Sequence, residues 1–194
     1  MVLRFDKSDE ESKDFILSLN YKKEIIKSFF SSFKKIFNIN YIEETKSLGT
    51  AGSLHLLKNK LIEPFIVTNC DTIIKINLYE FKKFHNQNKN HLTIVAAKRK
   101  ISLKYGSCNL TNKGNLDYIE EKPSLNFLAN TGMYLINPEA IELIPKNKKY
   151  DITNLINDLK NKGKKIGVFS IDENQWTDVG DWTEYNKVNK KIEN

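Results

Sequence analysis

Pro64-Phe-Ile-Val-Thr-Asn-Cys-Asp71 is the stretch from which the rest of the chain is read. Phe65 to Thr68 run without a polar break, and the segment ends on a carboxylate. An uninterrupted run of this length is of the kind buried on both faces of a parallel sheet. Ligands of open α/β sheets bind outside the carboxyl ends of the strands. Asp71 stands just past such an end, so this one stretch supplies both a core strand and a candidate site.

The pattern outward from it alternates. Asp14 to Asn20 reads as a short buried strand. Ile25, Ile26, Phe29, Phe30 and Phe33 follow at helical spacing and read as a core stripe. Tyr41-Ile-Glu-Glu is a second short strand, and Thr50 caps a helix carrying Leu54, Leu56 and Leu57. Beyond Asp71, Asn77 and Glu80 box the start of a helix with Leu78, Phe81 and Phe84. Leu92 to Ala97 is another buried strand. Strand and helix in alternation argue for an α/β domain.

The second half is richer in extended segments: Tyr105 to Leu110, Leu116 to Glu121 and Gly132 to Ile136. Asn137-Pro138 opens a helix through Ile144, with Pro at the favoured first position. Asp151 caps another, with Leu155, Ile156 and Leu159 as its stripe and Gly163 at its end. Ile166 to Ile171 is a last strand, and Asp181 with Glu184 boxes a terminal helix. No repeat or low-complexity linker interrupts residues 1–194, which read as one domain.

Bulk properties narrow the function classes. The 194 residues suit one domain with a sizeable core. No segment approaches the length of a membrane-spanning helix. The first residues turn acidic before any long apolar run, unlike a secretory signal. Cys70 and Cys108 show neither C-x-x-C nor disulfide-framework spacing, so a reducing cytoplasm is the expected compartment. The net charge of +7 is carried by Lys scattered along the chain, with Arg only at Arg4 and Arg99. Arg is the preferred residue for reading bases and phosphates, so neither nucleic acid nor membrane is an expected partner.

Five blocks carry chemistry, in this order: Leu48-Gly-Thr-Ala-Gly52, Asn69-Cys-Asp-Thr72, Glu120-Glu-Lys-Pro123, Asn130-Thr-Gly-Met-Tyr134 and Trp176-Thr-Asp-Val-Gly180. Each alone recurs by chance. Together, in this order, the chain resembles the sugar-phosphate nucleotidyltransferases over about Phe15 to Val188. The details resemble a bacterial branch making nucleotide-activated sugars for surface glycans, several of whose members use GTP. The implied fold is a three-layer α/β/α, Rossmann-like mixed sheet of the nucleotide-diphospho-sugar transferase type.

The resemblance implies roles. Asp71 and Asp178 would bind Mg²⁺, a hard ion that takes oxygen ligands and bridges phosphates. Lys122 would contact the sugar phosphate and Glu121 the sugar hydroxyls. Asn130, Thr131 and Gly132 would line the sugar pocket, with Gly106 on its rim. Gly49, Thr50 and Ala51 would face the nucleotide base, small residues at a helix start offering N–H groups and room for a ring. The partners would be a nucleoside triphosphate and a sugar 1-phosphate. Without the resemblance, each carboxylate is equally an ordinary turn residue, Glu121-Lys122 a surface charge pair and Thr50 a simple cap. Cys70, where the family more often has Gly, reads as a small buried residue. Trp176 and Trp182 read as packing around the metal turn.

Family members begin with a strand and a G-x-G-T-R loop that wraps the triphosphate, and no G-x-G occurs in this chain. The expectation is therefore a truncated or split member with open apolar strand edges beside Phe15 to Leu19, inactive or weakly active alone, or paired with a separate N-terminal fragment or a second copy. A non-catalytic sugar-phosphate or nucleotide-binding regulatory subunit is the rival reading. A metal-dependent glycosyltransferase is a third, though its usual D-x-D is absent at Asp71-Thr72-Ile73.

Overall fold

The structure, a computed structural model, describes residues 2–4, 14–31 and 37–180. In chain order it contains β1 (Val2–Arg4), β2 (Asp14–Leu19), α1 (Lys23–Ser31), β3 (Asn38–Glu43), α2 (Gly49–Gly52), β4 (Phe65–Thr68), β5 (Thr72–Ile74) and α3 (Leu78–Gln87). Then come β6 (Leu92–Ser102), β7 (Ser107–Leu110), β8 (Leu116–Glu120), β9 (Ser124–Ile136), α4 (Ile152–Asn161), β10 (Ile166–Ile171) and β11 (Trp176–Asp178). Short 3₁₀ segments occupy Ser53–Leu57, Pro138–Leu143 and Glu173–Gln175. Phe33, Trp182 and the Asp181–Glu184 box lie outside the described residues.

Seven strands form one mixed sheet in the order β10-β6-β9-β4-β1-β2-β3. Two small ladders, β11-β5 and β7-β8, stand apart from it. The strand that anchors the sequence reading shows why its run is uninterrupted. Phe65 and Val67 point into one core, with Leu54, Leu57, Ile141, Leu155 and Leu159. Ile66 points into the other, with Phe81, Val95, Leu135 and Ile171. Alternate residues face opposite sides of a strand, so two cores demand apolar residues at every position. Helix α3 covers one face; α4 and the 3₁₀ segments Ser53–Leu57 and Pro138–Leu143 cover the other, giving the expected three layers.

Direction is a different matter. β4 is antiparallel to both neighbours, β9 and β1, and the parallel pairs are β10/β6 and β2/β3. Burial on both faces fixes composition and leaves direction open. The expected open edge beside Phe15 to Leu19 is closed at Phe15 and Ile16. Leu3 lies between Phe15 of β2 and Ile66 of β4, so three residues suffice to fill that slot.

Local signals held unevenly. Asn77 caps α3 by accepting from the Glu80 N–H at 3.0 Å. Gly163, at φ 69°, ends α4. The segment after Asn137 begins with Pro as expected but is 3₁₀. The α1 stripe does not form core: Ile25 and Phe29 are 66% and 63% exposed. Helical spacing specifies an apolar face without specifying what covers it. β6 and β9 run well past their expected ends, pairing Lys98 to Ser102 with Ser124 to Leu128 as an arm beyond the core. Among the described residues no helix is long and apolar enough to cross a membrane.

Candidate active site

The two carboxylate turns meet because β5 and β11 pair. Asp178 lies opposite Thr72 and Trp176 opposite Ile74. The Val179 N–H donates to the Asp71 carbonyl at 2.9 Å, continuing the ladder by one step. At the turn, the Gly180 N–H donates to Asp178 Oδ1 at 3.0 Å. A Cβ built on Gly180 would stand 3.2 Å from Asp178 Oδ1 and 3.2 Å from Asp71 Oδ2. Both carboxylates thus converge on one point, and the hydrogen atom of glycine leaves room between them.

Beside them lies a cavity of about 180 Å³ lined by Asn69, Asp71, Thr72, Asn130, Thr131, Gly132, Tyr134, Trp176 and Asp178. Its floor is an irregularity in the β6/β9 pairing between Ile94 and Ala96. Thr131 Oγ1 donates to the Val95 carbonyl there, at 2.8 Å. Gly132 adopts φ 83°, a conformation that costs a side-chain-bearing residue dearly, and its carbonyl accepts from the Asn69 N–H at 3.0 Å. A Cβ on Gly132 would meet Asn69 Nδ2 at 2.6 Å, so the asparagine side chain uses the space this glycine leaves. Asn130 Nδ2 donates to the Tyr134 hydroxyl at 2.7 Å. Burial pushes the Tyr134 phenol up, against a lesser opposing effect of that hydrogen bond, so it remains a neutral hydroxyl.

The other expected site residues fall into two further groups. Gly106 and Glu121 meet on the arm, where a Cβ on Gly106 would lie 3.0 Å from Glu121 Oε2. Lys122 follows at φ 47°, an uncommon left-handed conformation for a lysine. All three are exposed, and none lines the cavity beside Asp71 and Asp178.

Gly49, Thr50 and Ala51 form the third group, packed against the start of α4. The Thr50 N–H donates to Asp151 Oδ1 at 3.1 Å, and Thr50 Oγ1 accepts from the Ile152 N–H at 2.9 Å. Thr50 therefore caps α4 rather than its own helix, and Asp151 spends its carboxylate on Thr50 in return. The Ala51 and Gly52 N–H groups both donate to the Tyr150 carbonyl. Of the N–H groups expected to face a nucleotide base, those of Thr50 and Ala51 are thus engaged within the fold. Ala51 is wholly buried in the core and presents no side chain to a ligand. Gly49 is held at φ 77°, where a Cβ would stand 2.5 Å from Asp151 Oδ1. Cys70, expected to be buried, is exposed.

The sequence reading passed over Asn69, Thr72, Tyr134 and Gly180 as site residues, although three of the five blocks contain them. Trp176, read as packing, also binds: its Nε1 donates to Thr72 Oγ1 at 2.8 Å. Among the described residues no three His, Cys, Asp or Glu side chains group to hold a metal. The pair of carboxylates beside an open polar cavity fits a divalent ion that takes its remaining ligands from water and phosphate oxygens.

The nucleotidyl transferase family model matches residues 8–194. Mannose-1-phosphate guanyltransferase 2 of Candida glabrata is 34% identical over 176 residues, covering 86% of this chain and 48% of that protein. The mannose-1-phosphate guanyltransferase of Saccharomyces cerevisiae is 32% identical with the same coverage. The chain thus spans about half the length of the curated relatives it matches. Among solved structures, HddC from Yersinia pseudotuberculosis superposes with a TM-score of 0.71 at 22% identity, over 94% of this chain and 80% of that one. A putative glucose-1-phosphate thymidylyltransferase from Bacillus anthracis gives 0.65 at 21%, over 92% and 75%.

Proposed function

The chain belongs to the nucleotidyl transferase family, and from that premise we propose that it takes part in nucleotide-sugar synthesis, its site serving the transfer of a nucleoside monophosphate from a nucleoside triphosphate to a sugar 1-phosphate. The convergence of Asp71 and Asp178 on Gly180, beside a cavity lined by amides and hydroxyls, carries this reading. The guanyltransferase relatives favour GTP and a hexose 1-phosphate as the substrates.

Asp71 and Asp178 would hold one Mg²⁺, which when bound neutralises phosphate charge. The chain's own residues do the rest. Asn69 and Asn130 offer amide groups to sugar hydroxyls, and the neutral Tyr134 hydroxyl orients Asn130. Gly132 keeps the cavity floor at backbone height. The sugar phosphate oxygen forms a bond to the α-phosphorus as the bond to pyrophosphate breaks, and catalysis consists of positioning and charge stabilisation. Glu121 and Lys122 are exposed and lie outside the cavity; in this reading Lys122 meets the sugar phosphate and Glu121 the sugar hydroxyls.

The regulatory, binding-only reading has one observation in its favour. Arg99 is committed to Glu173 and Trp176, so no free guanidinium faces a triphosphate among the described side chains. Calorimetry with Mg²⁺, GTP and mannose 1-phosphate, run beside a pyrophosphate-release assay, separates the two. Turnover abolished by Asp178→Asn supports transfer. Sugar-phosphate binding with no pyrophosphate, with or without an added N-terminal fragment, supports the regulatory reading.

A further inference from the structure

Arg99 lies outside every block that carries chemistry, yet it sits where the arm meets the metal turn. Its guanidinium stacks 4.7 Å from the centre of the Trp176 ring. Its Nη1 pairs with Glu173 Oε1 at 2.5 Å. Trp176 in turn donates from Nε1 to Thr72 Oγ1 at 2.8 Å, reaching across the β5/β11 ladder. Thr72 pairs with Asp178 and adjoins Asp71. One chain of contacts therefore runs from Glu173 through Arg99 and Trp176 to Thr72, ending between the two carboxylates.

The segment that delivers Asp178 is held from both sides. On the β6 side, Lys98 Nζ pairs with Asp172 Oδ1 at 2.9 Å, next to the Arg99–Glu173 pair. On the β5 side, the Lys75 N–H donates to the Gln175 carbonyl at 2.8 Å, and Gln175 Nε2 donates to the Lys75 carbonyl at 3.0 Å. Asp172 and Gln175 close a capping box between these anchors. The Arg99 stack bears on the ring of Trp176, which also packs against the core cluster of Ile66, Phe81 and Ile171. A planar guanidinium can stack on an indole and pair with a carboxylate at once, which a lysine ammonium does less well. Arg99 also pairs with Phe127 across the base of the arm, beyond which lie Gly106, Glu121 and Lys122.

From this geometry we infer that Arg99 is a positioning residue for the divalent-ion site. It holds Trp176 flat, Trp176 fixes Thr72, and the β5/β11 ladder then presents Asp71 and Asp178 to one ion. The inference rests on the metal reading given under Proposed function. It adds a residue that touches neither ion nor substrate.

The test uses the full chain with Arg99→Met, Arg99→Lys and Glu173→Gln. Two quantities are read: Mn²⁺ affinity by electron paramagnetic resonance, and backbone amide exchange across 72–74 and 176–178. Arg99→Met is expected to weaken Mn²⁺ binding about tenfold and to speed ladder exchange by a similar factor, the scale of one stacked cation. Arg99→Lys restores part of both. Glu173→Gln, an exposed change that leaves the core alone, gives a smaller shift in the same direction. Wild-type affinity and exchange in Arg99→Met would overturn the inference, and so would faster exchange with unchanged affinity. If the wild type binds no Mn²⁺, the metal reading fails, and ladder exchange in Arg99→Met alone decides whether the brace exists.

Discussion

The carboxylate turns and the arm both carry residues expected at the site, but they are built differently. Around Asp71 and Asp178, each turn is tied down by backbone or side-chain hydrogen bonds, and two glycines leave space that a neighbour uses. On the arm, Gly106, Glu121 and Lys122 are exposed, and Leu125, Phe127 and Leu128 show 56%, 44% and 51% of their surface. One region brings two carboxylates to a single point; the other stands exposed beyond the core. Preorganised charge is what transfer at phosphorus needs most, whereas a sugar can be gripped by a segment that closes later.

The largest expected effect breaks the turn side. Asp71→Asn or Asp178→Asn should lower any nucleotidyl transfer by about 10³-fold, the scale of losing a main electrostatic partner, with little change in melting temperature because both residues are exposed. A pyrophosphate-release assay and a thermal melt check both halves. A matched pair of glycine changes sharpens the contrast. Gly132→Ala must adopt φ 83° and meets Asn69 Nδ2 at 2.6 Å, so it should cost about 1–3 kcal/mol in denaturant unfolding. Gly106→Ala meets only the far end of Glu121 at 3.0 Å, and should cost less than about 0.5 kcal/mol.

Lys122→Ala should weaken sugar 1-phosphate binding about tenfold by calorimetry, as loss of one charge-assisted contact does, and leave Mn²⁺ affinity unchanged. Equal losses for both ligands would mean that the arm is part of the metal site already. The smallest effect concerns the core behind the turns. His85 of α3 is buried, bonded to Thr93 Oγ1 at 2.7 Å and to Asn137 Oδ1 at 3.0 Å. Burial depresses its pKa below the ordinary 6.5, with the Asn137 bond opposing. The unfolded chain then binds the proton first, so stability should be full above about pH 7 and fall as pH drops through 6.5. Melting temperature between pH 7.5 and 5 checks the sign, and a rise on acidification would contradict it.

Much of this was legible in the sequence where one residue's chemistry sufficed. The double-faced burial of β4, the Asn77 cap and the Gly163 stop follow from residue type and spacing, whereas the pairing of Asp71 with Asp178 came from the family resemblance. Partnership across the chain was not legible. The Thr50–Asp151 exchange joins residues about a hundred positions apart, and either residue alone reads as the cap of its own helix. The α1 stripe looks like core because Ile25 and Phe29 are apolar, but solvent exposure depends on what else packs there. Arg99 looked like one of two stray arginines until Trp176 and Glu173 were seen beside it. Strand direction in the β4 neighbourhood depends on the connections, which local composition does not encode.

The central claim is that Asp71 and Asp178 form one ion site. Mn²⁺ affinity across the wild type, Asp71→Asn, Asp178→Asn and the double variant tests it most directly. A shared site predicts that either single change removes nearly all binding and that the second adds almost nothing. Independent, additive losses, or affinity retained in either single variant, would contradict it.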